Sequence, residues 1–376
     1  MTLSKLFNEF FYSEKAGGLI LIFATALSLI LANTGSSVAY ISLWQHNIAG
    51  HSITHWINDG LMAIFFLLIG LELEREIYHG ELSSIKNAAF PAIGALGGMV
   101  LPALIFLLFN YGKPAQAGAG IPMATDIAFA VGILSLLGNR VPPSLKIFLM
   151  ALAVIDDLGA IIVIAIFYTK TILWTNLLVS LGIWLSLLAL NRLKIRNLIP
   201  YLAGGAAMWY FMLHSGVHAT ISGVLLAFAI PFGNGNEKST SYILQHNLHK
   251  PVAFIILPLF ALANTSIMLQ GNISDSLTNA NSAGIITGLL LGKPLGIFLF
   301  TLAGTLFGIC SLPEELSWKQ IVSVGFLGGI GFTMSIFITM LAFTDEALID
   351  ISKISILIAS IIAALSGYIL LSKSLR

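Results

Sequence analysis

Apolar side chains recur in stretches of about 20 residues along almost the whole chain, separated by short polar connections; a helix of that length crosses a hydrocarbon core about 30 Å thick. Reading hydropathy in windows of about 19 residues places spans near 12–33, 58–77, 88–110, 117–138, 144–168, 172–190, 198–211, 215–231, 246–268, 283–309, 319–343 and 352–372, the seventh and eighth being short. The pattern predicts an all-α polytopic membrane protein of about twelve transmembrane helices. The longest polar connections, 34–57 and 232–245, are too small for a soluble domain, so residues 1–376 are expected to form a single integral membrane domain. Within the first, SVAYISLW alternates loosely and the chain turns near NIAG, so 35–57 reads as an outer-face hairpin or as plain loop. The first span lacks a small-residue cleavage site and follows Glu9, Glu14 and Lys15, which predicts an uncleaved helix.

Composition sharpens this class. Hydrophobic residues make up 57% of the chain and charged ones 9%, where a soluble domain carries about 25% charged residues. The net charge of +1 adds nothing, and no nucleic-acid partner is expected. The distribution of basic residues is more telling: 14 of the 18 fall in alternate connections and the two tails, against Lys113, Lys170 and Lys353 in the opposite ones. The positive-inside rule then puts both termini in the cytoplasm, which an even number of spans requires. The single cysteine, Cys310, cannot form an intramolecular disulfide and belongs to no ligand cluster. Nucleotide loops, zinc signatures and hydrolase elbows do not occur in the sequence, so neither enzymatic chemistry nor a cofactor is expected.

What the hydropathy does not explain is the few ionisable residues left inside the spans: Asp126, the adjacent pair Asp156 and Asp157 in ALAVIDDLGAIIVIAIFY, and Lys293. One Asp at the centre of a membrane helix costs about 2.5–3.5 kcal/mol, so the four together cost on the order of 10 kcal/mol. Pairing could account for Lys293 and one acid as a purely structural device. It cannot account for the rest, because one lysine does not neutralise three carboxylates, and the surplus must meet water, a proton or a cation.

Asp126 also sits at a weak point. In AGAGIPMATDIAFAVGILSLLG, residues 117–138, Gly118, Gly120 and Pro122 precede Thr125 and Asp126, and Pro122 removes a backbone donor and strains the turn before it. An ordinary proline kink is one outcome. An interrupted helix is the other, tolerated at membrane depth only where it faces protein or a water-filled cavity. VGFLGGIGFTMSIF, residues 324–337, carries a second interruption. These are spans 4 and 11, each the middle of a set of three (3–5 and 10–12), which predicts inverted repeats with the binding site at the interruptions. Gly94/Gly98 and Gly292/Gly296 have the spacing of close helix packing instead.

Carboxylates and freed backbone carbonyls are hard oxygen ligands of the kind a dehydrated cation requires. A proton binds the same oxygens, so a cation and a proton would compete for them, and the pair titrates as one coupled unit. An intramembrane aspartyl protease also embeds two acids, but takes them from different helices; here they are neighbours about 100° apart around one axis. Other secondary transporters on the same scaffold, a sodium-coupled symporter or a potassium exchanger, remain alternatives, as does a passive cation channel.

ATDIAFAVG at 124–132, ALAVIDDLGAI at 151–161, LLGKPLGIF at 290–298 and GGIGFTMSIFI at 328–338, with FFLLIGLELERE at 65–76 and HSGVHATISGV at 214–224, closely resemble the NhaA-type sodium/proton antiporters of bacterial inner membranes. Paired interrupted spans are an accepted arrangement in that family, so the repeat inference is not independent of the resemblance. The resemblance implies two broken helices crossing near the midplane and an electrogenic exchange of cytoplasmic Na+ (or Li+) for a larger number of external H+. Asp156 and Asp157 would bind Na+ and protons, with Thr125 and Asp126 at the crossing and Lys293 paired to Asp156 in the ion-free state. It further implies activity that rises at alkaline pH, with Glu72, Arg75, Glu76, His246 and His249 at a cytoplasmic funnel and His218 as a further pH-sensing candidate. Glu74 and Gln245 depart from the family pattern there: Glu74 makes the funnel mouth more negative, and Gln245 cannot titrate. A homodimer built partly through residues 35–57, with lipid and the transported ions as the other partners, completes what the resemblance implies.

Overall fold

The computed structural model describes residues 3–169, 172–269 and 277–375. Lys170 and Arg376, used in the charge asymmetry, fall outside them. The described chain is helical apart from one small strand pair. Its elements are α1 (Leu3–Ala32), α2 (Ser37–Gln45), β1 (Asn47–Ile48), β2 (His51–Ser52), α3 (Ile53–His79), α4 (Ile85–Asn110), a 3₁₀ helix (Pro114–Met123), α5 (Ile127–Ser135) and α6 (Pro143–Phe167). The second part comprises α7 (Trp174–Arg192), α8 (Leu198–Leu213), α9 (Ile221–Ala229), α10 (Thr240–Asn264), α11 (Ala280–Leu306), α12 (Trp318–Gly328), α13 (Phe332–Ala342) and α14 (Glu346–Ser374).

The apolar stretches identified from hydropathy fall mainly on helices, although 117–138 and 319–343 each extend over two and the first six residues of 215–231 precede α9. Among the described residues, seven helices are by length and composition enough alone to cross a membrane, and up to ten spans result if each bent pair counts as one. The bent pairs are α1 with α2 (116°), the 3₁₀ helix with α5 (40°) and α12 with α13 (48°). With 16 and 9 residues, α8 and α9 are shorter than the ~20 a full crossing needs. Large apolar side chains such as Leu108, Phe167 and Leu306 are exposed on the outside while Asp156, Asp157 and Lys293 are buried within, the inverse of a soluble protein.

The 35–57 connection differs from a simple hairpin or loop. SVAYISLWQ is the helix α2, because its apolar residues repeat at helical spacing: Tyr40 and Trp44 meet edge-on at 5.8 Å, and Trp44 is buried. Only the turn forms strands. Asn47 pairs with Ser52 and Ile48 with His51 across Ala49 and Gly50, whose positive φ values, 51° and 89°, suit a tight two-residue hairpin.

The most extensive helix contact joins α4 to α11. The glycines named from their spacing do lie in it: a Cβ on Gly98 would stand 2.9 Å from Ile297, and one on Gly292 2.8 Å from Pro102. The closest approach is at Gly97 and Gly296, where a Cβ on either would run into the other's carbonyl oxygen. This backbone contact holds α11, and with it Lys293, against the centre of the fold.

Candidate functional site

The 3₁₀ helix ends at Met123, where Ala124 turns extended (φ −78°, ψ 150°), and α5 begins after Asp126. Pro122, next to last in this helix, has no N–H to donate to a carbonyl of the preceding turn, which weakens the helix just before the break. Asp126 then starts α5 as its N-cap: its Oδ1 accepts from the Phe129 N–H at 2.9 Å. The second break, Gly329 to Gly331, lies against the first. Asp126 N–H donates to the Ile330 carbonyl at 2.7 Å, and Ser335 Oγ donates to the Ile121 carbonyl at 2.6 Å.

The ends of the helices meeting here carry unserved backbone groups and opposite partial charges. Asp126 answers two of the positive ends at once, because its Oδ2 also accepts from the Thr333 N–H at 3.1 Å and from the Thr333 hydroxyl. Thr125 answers a negative end, its hydroxyl lying 2.8 Å from the Gly328 carbonyl of α12 and 2.8 Å from Asp156 Oδ2. A threonine hydroxyl has one proton, so it serves one of these acceptors at a time. Asp126→Asn keeps the volume but halves the acceptor capacity and removes the charge, leaving a buried Thr333 or Phe129 donor poorly served. The expected loss is about 2 kcal/mol of stability; if thermal unfolding in detergent matches the unmodified protein, the double-capping role is wrong.

The aspartate pair lies on α6, whose inner face packs against α3, α4, α5, α12 and the 3₁₀ helix. Both acids are fully enclosed. Asp156 Oδ2 accepts from Lys293 Nζ, which also donates to Thr125 Oγ1 at 2.9 Å. Lys293 opens the second α-helical part of α11, directly after a widened π-helical turn, Gly288–Gly292. The cause is local: Pro294 has no N–H to donate and its ring crowds the carbonyl one turn back, so the ladder opens before it. Asp156 Oδ1 and Asp157 Oδ1 are buried, and no protein donor among the described residues reaches either. Two carboxylate oxygens without protein donors, beside the Lys293 ammonium group, can accept protons or coordinate a hard cation.

Five of the sequence-derived residues, Thr125, Asp126, Asp156, Asp157 and Lys293, are thus brought together. The pH-sensing candidates lie elsewhere. Glu72, Arg75 and Glu76 occupy the last turns of α3, beside the start of α10. Arg75 lies over the Tyr242 ring at 5.1 Å, and Tyr242 stacks on His246 at 6.2 Å, which connects the two helices. His249 follows one turn later on α10. Glu74, expected at an open funnel mouth, is instead 5% exposed with Oε2 unpartnered, because it falls on the inward face of α3. His218 lies apart from this group: its Nε2 is 3.0 Å from the carbonyl of Tyr168, just past the end of α6.

Three contributors escaped the sequence reading: Thr333, the Gly328 carbonyl and Tyr168. Tyr168 ties α6 to the 3₁₀ helix, its hydroxyl donating to the Ala117 carbonyl at 2.8 Å and accepting from Gly120 N–H at 3.2 Å. Thr333 and Tyr168 stand in stretches already singled out, GGIGFTMS and the apolar run ending in IFY, but no residue type marked them as partners.

The family model described as Na+/H+ antiporter 1 matches residues 8–371. Among similar proteins is the Na(+)/H(+) antiporter NhaA of Flavobacterium psychrophilum, 66% identical over 376 residues, covering 100% of this chain and 98% of that protein. Na(+)/H(+) antiporter NhaA 1 of Flavobacterium johnsoniae is 64% identical over 371 residues, covering 99% and 97%. The Na(+)/H(+) antiporter NhaA of Cytophaga hutchinsonii is 60% identical over 376 residues, covering 100% and 97%.

Proposed function

The chain belongs to the NhaA sodium/proton antiporter family, as a multi-pass transporter rather than an enzyme, and from that premise and the buried aspartate pair we propose an electrogenic, pH-regulated exchange of cytoplasmic Na+ or Li+ for external H+. The observation that carries the reading is the cluster on α6. One carboxylate is held by Lys293 and Thr125, and its neighbour Asp157 is enclosed with an oxygen that no donor among the described residues reaches. Asp157 is the main Na+ ligand and proton acceptor, and Asp156 alternates between the ion and Lys293.

Exchange follows from competition for the same oxygens. Protonation removes the charge that holds Na+, and bound Na+ opposes protonation, so a site that changes sides only when loaded couples the two flows. Removing Lys293 from Asp156 requires another positive charge there, which Na+ supplies. More protons than Na+ per cycle move positive charge inward, making the exchange responsive to membrane potential.

In this reading the two bent pairs, the 3₁₀ helix with α5 and α12 with α13, are interrupted spans crossing near the midplane of a twelve-span inverted-repeat fold. The contacts of Asp126 with Ile330 and Thr333 support it. The protein resides in the bacterial inner membrane with both termini cytoplasmic, and a homodimer forms partly through α2 and the β1–β2 turn. The Arg75–Tyr242–His246 stack, with Glu72, Glu76 and His249, forms the cytoplasmic pH-responsive end; His218 acts separately at the other end of α6.

The test is Na+-induced alkalinisation of acidified everted vesicles, stepped from about pH 6 to 9 across the range in which histidine titrates. The expected response needs no organic substrate, appears with Na+ and Li+, strengthens toward alkaline pH as protons compete less, and grows when the membrane potential favours inward charge. Absence of any cation-induced response from inserted protein would shift the assignment to another substrate on the same fold.

A further inference from the structure

A crevice of about 470 Å³ lies between α11, α12 and the end of α14, away from the aspartate cluster. Its walls are apolar, formed by Phe298, Trp318, Val322 and Leu370, and its lining also includes two lysines, Lys319 and Lys373. The rings of Phe298 and Trp318 meet edge-on at 5.7 Å, giving one wall a fixed shape. Lys319 and Lys373 are both exposed, and among the described residues neither is joined to an acid. Glu314 and Glu315 lie on the preceding loop, exposed and outside the lining. None of these residues serves the exchange site.

We propose that this crevice binds one anionic diacyl phospholipid, with its phosphate between Lys319 and Lys373 and the upper part of an acyl chain against Phe298, Val322 and Leu370. The position fits. Trp318 is the first residue of α12 and Lys373 lies in the last turn of α14, so indole and ammonium groups stand where helices meet the headgroup layer. Leu370, one helical turn before Lys373, is exposed. The volume is smaller than a whole lipid, so the rest of the molecule stays in the leaflet. Lys373 alone would be explained by the dipole of α14; Lys319, in the first turn of α12, is on the wrong end of its helix for that role. A basic, apolar-walled gap between membrane helices is the arrangement that selects anionic headgroups.

The test is native mass spectrometry of the full-length protein, titrated with phosphatidylglycerol and separately with phosphatidylcholine. One phosphatidylglycerol is expected to bind per chain in preference to phosphatidylcholine. Lys319→Gln with Lys373→Gln should weaken it about 25-fold, since each lysine near the headgroups contributes roughly fivefold. Val322→Trp, which fills the crevice and leaves both lysines, should weaken phosphatidylglycerol too, whereas a site made by charge alone would be unaffected. Equal binding of the two lipids, unchanged binding in the lysine variant or in Val322→Trp, displacement by millimolar inorganic phosphate, or a dimer lost with Val322→Trp in place of a lipid adduct would each overturn the proposal.

Discussion

Asp157→Asn is expected to reduce Na+-driven proton movement to the level of empty vesicles while leaving the protein folded. The substitution preserves size and one carbonyl oxygen, so packing around α6 is nearly unchanged. What disappears is the negative charge and the capacity to take a proton, the two properties on which competition between Na+ and H+ depends. Stability should not fall, because among the described residues Asp157 Oδ1 has no hydrogen-bond donor that the amide would lose. Deleting a buried, unpaired charge is favourable where the native group carries it. The combination is diagnostic: a melting temperature at or above that of the unmodified protein with no transport places Asp157 in the exchange itself. Retained Na+-dependent proton movement would transfer the site to Asp156 with Lys293, and a lowered melting temperature would make Asp157 a packing residue.

The helices were legible in the sequence because hydrocarbon leaves the backbone few alternatives to a helix, so about 20 apolar residues carry enough information. The break before Asp126 was legible for the same local reason, since Pro122 and the flanking glycines weaken a helix wherever they occur. Partnerships across the fold were not. Thr333 and Asp126 are separated by 207 residues, and a threonine one turn into a helix looks like any other until the opposite helix end is placed beside it. Residues 37–45 misled by their loose alternation, which a short segment satisfies almost as well with helical spacing as with strand spacing. Glu74 misled because its neighbours Glu72, Arg75 and Glu76 make the whole stretch look solvated. The helical period turns it inward, and a single side chain near a helix end does not reveal its face without the neighbouring helices.

Lys293→Ala is expected to lower stability by about 3–5 kcal/mol, the largest loss for any single substitution considered, because it leaves Asp156 charged, enclosed and without its counter-charge. Asp156→Asn strands the ammonium group in the same way. If the two side chains act as one unit, Lys293→Ala with Asp156→Asn costs less than the sum of the separate losses, with a coupling of about 1–3 kcal/mol. Additive losses would mean that the pair is incidental. Sodium supplies a second, independent reading of the same cycle. If Na+ displaces Lys293 from Asp156, as the proposed cycle requires, it binds the unmodified protein against the ammonium group, whereas in Lys293→Ala no ammonium group stands in the way. Added Na+ should therefore raise the melting temperature of Lys293→Ala at lower concentrations, and by more, than that of the unmodified protein, since a ligand stabilises a fold in proportion to its occupancy of the native state. The Asp156→Asn variant, with the ammonium group still present and one carboxylate fewer, should respond least. A sodium response that is the same in all three would remove the link between the Lys293–Asp156 pair and the cation, and with it the exchange of one positive charge for another on which the proposed cycle rests.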